Sequence, residues 1–290
     1  MLGRAVSPVL AGASSDGADV GRARLAVLID ADNAQASLVG AVLAEVATLG
    51  AAQVKRAYGD WTGSALKSWK EHLLAQSILP VQQFAYVSGK NATDAAMVID
   101  AMDLLYRGRL DGFCLVSSDS DFTRLAVRLR ESGRAVYGFG ERKTPRPFVA
   151  ACNKFVYVEN LVSPPARVAL PVASDADVSV GESPAPRARP AQRATSLGAR
   201  LRGDTALVQT LLDAVEEASG DDGWASQAYV GHLINRRLPD FDPRTYDCRK
   251  LGELIAAIGL FDIDRRAVGP GKPAAVYLHA KRRPGPPASR

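Results

Sequence analysis

One stretch constrains the fold more than any other: Leu25-Ala26-Val27-Leu28-Ile29-Asp30-Ala31-Asp32-Asn33. Five apolar residues run directly into a cluster of two acids and an amide. A continuous apolar run of this length reads as a strand covered on both faces, as in a parallel sheet with helices on each side. Its C-terminal end delivers Asp30, Asp32 and Asn33 to the sheet edge where open α/β folds bind their ligands. A helix cap would account for one such polar residue. It would not explain why other strands end in the same way.

The segments that follow alternate between strand and helix. Ala34 to Leu49 has helical spacing and stops at Gly50, Gln53 to Tyr58 is an expected strand, and Thr62 to Gln76 an expected helix. Val81 to Val87 reads as a third strand and Thr93 as the cap of a helix to Tyr106. Phe113 to Val116, Ala135 to Phe139 and Phe155 to Val158 read as further strands, with a helix over Phe122 to Glu131. Repeated β-α pairs with short connections imply a mostly parallel sheet in three layers.

Carboxylates gather where these strands end. Asp30 and Asp32 follow the first, Asp60 the second, Asp94 the loop after the third, and Asp119 with Asp121 the fourth. In a parallel sheet these ends share one edge. Acids held close together resist ionising beside one another, and a hard divalent cation with oxygen ligands relieves the repulsion. Mg²⁺ or Mn²⁺ fits this donor set, and a bound ion of this kind can orient a phosphodiester and activate water. Lys90 lies near Asp94 and could neutralise a phosphate oxygen. His72, inside an expected helix, and His232 and His279, in the second half, are not expected to reach this edge, which argues against zinc. Taken singly, Asp94 could serve a helix dipole, and Ser118 with Asp121 could form a capping box. Taken together, the acids favour a site.

The chain of 290 residues is long enough for two domains. From Ser163 to Gly203, Pro, Ala, Ser and Arg displace any hydrophobic period, so this stretch reads as a flexible linker. Arg187, Arg189, Arg193, Arg200 and Arg202 make its second half basic and available to phosphate. Beyond it, helices over Thr205 to Ser219, Ala225 to Arg237 and Arg244 to Ile258 precede two short strands, the winged form of a helix-turn-helix. Three widely spaced cysteines, Cys114, Cys152 and Cys248, suggest no disulfide framework and no metal spacing. With no membrane-length apolar run, they favour a cytoplasmic protein. The net charge of +5 admits an anionic partner without demanding one.

Leu25 to Val162 resembles the NYN domain of the LabA-like branch within the PIN-like nuclease superfamily. The residues that carry this are Ile29-Asp30-Ala31-Asp32-Asn33, Tyr58-Gly59-Asp60-Trp61, Lys90-Asn91-Ala92-Thr93-Asp94, Asp100-Ala101-Met102 and Ser117-Ser118-Asp119-Ser120-Asp121-Phe122. The resemblance implies a PIN-like, Rossmannoid three-layer α/β fold and a metal-dependent ribonuclease. Asp30, Asp94 and Asp119 match its metal-binding acids, with Asp121 as a fourth. Asn33 matches a polar position beside the first acid, and Ser118 is expected to bind phosphate.

Asp204 to Leu278 resembles the OST-HTH, or LOTUS, domain through Trp224-Ala225, Tyr229-Val230-Gly231, Leu238-Pro239-Asp240-Phe241-Asp242, Tyr246, Lys250-Leu251 and Leu260-Phe261. This implies RNA as partner. Acids on the first helix confine any RNA face to Arg236, Arg237, Arg244, Arg249 and Lys250, while Tyr229 and Tyr246 read as core. The expected organisation is a disordered tail over 1–22, the NYN domain over 23–162, a linker over 163–203, the winged-helix module over 204–280 and a basic tail over 281–290. No membrane partner is expected, and homo-oligomerisation stays open. Two alternatives remain at this point: a non-catalytic RNA-binding regulator, and a phosphatase of the HAD type, which Asp30-Ala31-Asp32-Asn33-Ala34 distantly resembles apart from Ala34.

Overall fold

A computed structural model describes residues 22–84, 92–162, 190–267 and 274–281. In the first half, strands β1 (Arg24–Asp30), β2 (Ala51–Gly59), β3 (Leu79–Gln82), β4 (Gly112–Val116), β5 (Ala135–Gly140) and β6 (Lys154–Tyr157) form one parallel sheet in the order β3-β2-β1-β4-β5-β6. The period-2 alternation of β1 divides its side chains between two cores. Leu25, Val27 and Ile29 pack with α1 (Val39–Leu49) and α2 (Trp69–Ala75). Ala26 and Leu28 pack with α3 (Ala92–Tyr106), α4 (Thr123–Glu131) and α5 (Arg146–Ala151) on the opposite face. Every residue from Leu25 to Asp30 is fully buried, which is why this strand has no polar face. A short helix, α6 (Glu159–Val162), follows β6.

The strand order places a topological switch between β1 and β4. Chain leaves β1 toward β2 on one side, while β4 continues toward β5 on the other. The loops after these two neighbouring strands diverge and leave a crevice at the carboxyl edge, the place where open α/β sheets bind ligands. Asp30 ends β1 and Asp119 follows β4.

The second half contains α7 (Pro190–Gly203), α8 (Thr205–Ala218), β7 (Ala225–Ser226), α9 (Gln227–Arg237), α10 (Leu251–Ile258), β8 (Phe261–Arg266) and β9 (Ala275–Ala280). β9 pairs antiparallel with both β7 and β8, giving the expected wing. Leu207, Leu211, Val230, Ile234, Leu254 and Leu278 meet in a separate core.

Several expectations meet a different structure. The linker expected over 163–203 holds a helix in its last part, because Leu201 buries itself in the second core and Leu197 packs against it. Arg200 and Arg202, expected to be free for phosphate, are used at home. Arg200 pairs with Asp247 at 2.6 Å, and Arg202 donates to the Ile258 carbonyl at 2.9 Å. The expected helix from Arg244 to Ile258 is broken: a 3-10 turn over Pro243–Tyr246 ends at Asp247 in the left-handed region, and α10 starts only at Leu251. Asp242 caps that turn by accepting from the Arg244 amide. The strand expected over Val81 to Val87 runs instead over Leu79–Gln82, with Gln83 and Phe84 outside it; the rest of that stretch and the loop closing it, Lys90 included, lie outside the described residues.

The two halves are in direct contact along β6. The Phe155 amide donates to the Pro239 carbonyl at 2.8 Å, and Asn160 donates to Thr245 at 3.0 Å. Arg244 reaches Glu45 of α1 at 2.9 Å while also pairing with Asp242 at 2.7 Å, and Lys154 pairs with the same Glu45 at 3.2 Å. Burial alone would raise the Glu45 pKa, but the two cations outweigh it and hold the carboxyl below its ordinary value. Arg244 therefore joins the domains and does not belong to an RNA face.

Candidate metal centre

The end of β1 turns sharply, with the Asn33 amide donating to the Asp30 carbonyl at 3.3 Å. This folds Asn33 back over the Asp30 carboxylate, whose Oδ2 accepts from Asn33 Nδ2 at 2.9 Å. The same Oδ2 accepts from Ser117 Oγ at 2.7 Å. Asp30 is fully buried, and burial pushes its pKa up against the pull of these donors. Asp32 accepts from Thr93 Oγ1 at 2.8 Å, which ties the β1 loop to the start of α3.

After β4 the backbone is extended at Asp119, whose side chain caps the 3-10 turn Ser120–Phe122 by accepting from the Asp121 amide at 2.9 Å. The cap is thus Asp119 and not Ser118. Ser118 instead accepts from the Glu141 amide at 2.8 Å and so pins the loop after β5. Gly140 precedes that loop because a side chain there would stand 2.6 Å from the Ser117 carbonyl.

These turns bring three acids together. Asp94 in the first turn of α3, Asp119 and Asp121 each offer a carboxylate oxygen, all within 4.8 Å of one another. Asp94 comes from α3, and Asp119 and Asp121 from the single turn after β4. Asp94 shows the consequence: partial burial first, then repulsion from Asp30, Asp119, Asp121 and Asp32, raises its pKa to about 6. An all-oxygen set under mutual repulsion fits a hard dication such as Mg²⁺ or Mn²⁺.

Of the residues expected to form the site, Asp94, Asp119 and Asp121 converge, while Asp30 stands behind them, held by Ser117 and Asn33. Ser117 carried no expected role beyond its place in the Ser117–Phe122 motif; it directly follows β4, the strand beside β1. Asp100 was quoted only as part of a motif, yet it accepts from both Arg56 and Tyr58 and anchors α3 to β2. His72, expected away from this edge, lines the same shallow groove as Asp32, although no histidine joins the acid group among the described residues.

In the second domain, Arg237 pairs with Glu217, whereas Arg236, Arg249 and Lys250 are exposed. Tyr229, expected in the core, is half exposed and stacks on His232 with ring centroids 6.3 Å apart. Among the described residues, no helix is long and apolar enough to cross a membrane.

Comparison with known proteins agrees with this division. Residues 24–159 match the NYN domain, and residues 204–273 match the OST-HTH/LOTUS domain. No curated protein matches the chain. A solved protein of unknown function from Vibrio parahaemolyticus is 20% identical, covers 47% of this chain and 93% of its own, and has a TM-score of 0.39. An uncharacterized protein from Nitrosomonas europaea is 29% identical over 39% of this chain and 94% of its own, with a TM-score of 0.24. The chain therefore carries an NYN domain, of PIN-like α/β architecture, followed by an OST-HTH/LOTUS domain.

Proposed function

We propose that this protein is a Mg²⁺- or Mn²⁺-dependent endoribonuclease of the cytoplasm, with the OST-HTH/LOTUS module holding the RNA. The observation that carries this reading is the convergence of Asp94, Asp119 and Asp121 at the carboxyl edge of an NYN domain. These three carboxylates would hold the ion, with Asp30 behind them adding negative charge from a fixed position. A dication held by these carboxylates would supply Lewis acidity at a phosphodiester and a more acidic water for in-line attack. Ser117 and Asn33 keep Asp30 oriented, Thr93 keeps α3 and Asp94 in place through Asp32, and Ser118 holds the neighbouring loop. Lys90, Arg236, Arg249 and Lys250 are proposed phosphate contacts. Arg237 contributes only by leaving Glu217. Both Asp30 oxygens are occupied and buried, Oδ1 accepting from the Asn33 amide and Oδ2 from Asn33 Nδ2 and Ser117 Oγ, an arrangement poorly suited to a phosphatase nucleophile.

The test is cleavage of single- and double-stranded RNA with Mn²⁺ supplied, comparing the unaltered protein with Asp119→Asn. Metal-dependent cleavage that disappears in the variant while RNA binding persists supports the proposal. A protein that binds RNA and never cuts it would be a regulator instead.

A further inference from the structure

The carboxyl edge of the sheet continues past the acids. β5 is followed by the loop Glu141-Arg142-Lys143-Thr144-Pro145 and by Arg146 at the start of α5, three cations against one acid. Ser118 pins this loop one residue from Asp119, and the pinned residue, Glu141, directly precedes Arg142. Beyond it, β6 ends at Tyr157. Because all strands are parallel and adjacent ones lie ~4.8 Å apart, the acids after β4 and Tyr157 on β6 are separated by only about two strand spacings along one edge.

At this point the second domain closes an open cleft of about 430 Å³, lined by Arg142, Arg146 and Tyr157 from one side and by Phe241, Thr245 and Tyr246 among others from the second. The Arg142 guanidinium lies over the Tyr157 ring, 5.6 Å from its centroid, and donates to Asn160 at 2.9 Å. Among the described residues it has no carboxylate partner within ion-pair range. Arg146 pairs with Asp240, which also accepts from the Tyr157 hydroxyl at 2.9 Å, so the ring is held upright. A cation over a ring, beside further aromatics in an open cleft, is the combination that binds unpaired nucleotides: phosphate to the charge, base to the planar groups.

We infer that this seam between the domains is a binding cleft for single-stranded RNA, in which Arg142 contacts a phosphate and the Arg142–Tyr157 stack receives a base one or two nucleotides from the acids. The inference rests on the nuclease reading for its substrate but not for its test. The substrate such a stack selects is unpaired RNA, whose bases are free to enter it.

Binding of a fluorescent oligouridylate to the full chain is measured in EDTA, where cleavage cannot interfere. Arg142→Gln, which keeps a donor for Asn160, weakens binding about tenfold and flattens the salt dependence by roughly 0.7 in slope, one phosphate contact on a single strand. Photocrosslinking of a thiouridine-substituted oligouridylate to the unaltered protein places adducts at Tyr157 or Tyr246 and needs no variant to fold. Unchanged affinity and slope in Arg142→Gln, or adducts confined to other surfaces, overturns the inference. If RNA is cut but never crosslinks in the cleft, the cleft falls and the nuclease stands. If it crosslinks there and is never cut, the reverse holds.

Discussion

Ser117 Oγ donates to Asp30 Oδ2 at 2.7 Å and so ties the end of β4 to the end of β1 inside the sheet. The same hydroxyl oxygen accepts from the Asp119 amide at 3.0 Å, and one side chain thereby links the buried acid to the turn that carries the clustered ones. Replacing it, Ser117→Ala, removes a donor from a fully buried carboxylate. The expected cost is ~1–3 kcal/mol, seen as a lower midpoint in urea unfolding. An unchanged midpoint would show that Asn33 alone suffices.

Asp94 makes the centre pH-dependent. Its pKa is raised to about 6, so the folded chain holds this proton more tightly than the unfolded chain does. Protonation there stabilises the metal-free protein, and that stability is lost as pH rises from the ordinary value of 3.8 through about 6. A dication must displace the proton. Mn²⁺ affinity by calorimetry should therefore climb until pH passes about 6 and level off above it. Affinity that is flat from about pH 5 to about pH 7 contradicts this ordering of charges.

The same repulsion predicts that a disabling change stabilises. Asp94→Asn removes one member of a group of like charges whose oxygens lie within 4.8 Å of one another. Without metal, the variant at neutral pH should melt higher, by about 1 kcal/mol or a few degrees. It should also lose the upward shift that Mn²⁺ gives the unaltered protein. Calorimetric melts with and without Mn²⁺ measure both, and a lower metal-free melt would refute the repulsion argument.

Glu45 tests the contact between domains. Its side chain is 13% exposed and is satisfied by Arg244 and Lys154 together. Arg244→Ala leaves Asp242 and Glu45 short of a cation at once, with an expected loss of about 3 kcal/mol. The measurable sign is a single unfolding transition separating into two as the domains lose their connection. Glu45 has a lowered pKa, so its contribution is present above the ordinary value of 4.5 and drains away as pH falls below it through the folded value. A variant that still unfolds in one step would mean that the remaining contacts, Phe155 with Pro239, Asn160 with Thr245, and Arg146 and Tyr157 with Asp240, are enough.

The periodicities that depend only on local physics were legible in the chain. Leu25 to Ile29 could only be a strand covered on both faces, and the acids at strand ends followed from the parallel reading. The winged module was recognisable from Trp224-Ala225 and Leu238 to Asp242. Other features were invisible because they arise from partners distant in sequence. Leu201 makes a helix of a stretch with a linker's composition, since the second core offers it a place that propensity cannot report. Arg244 looked like one more surface cation until Glu45, 199 residues away, proved to be its partner. Which acid stands forward and which behind was equally a tertiary matter: Asp30 ends a strand buried from Leu25 onward, and Ser117, just after the neighbouring strand, joins Asn33 in holding its carboxylate. Sequence determined which residues arrive at the edge, because chain direction and side-chain period are local. Only the packed structure decided what each one touches there, because burial and charge act through space.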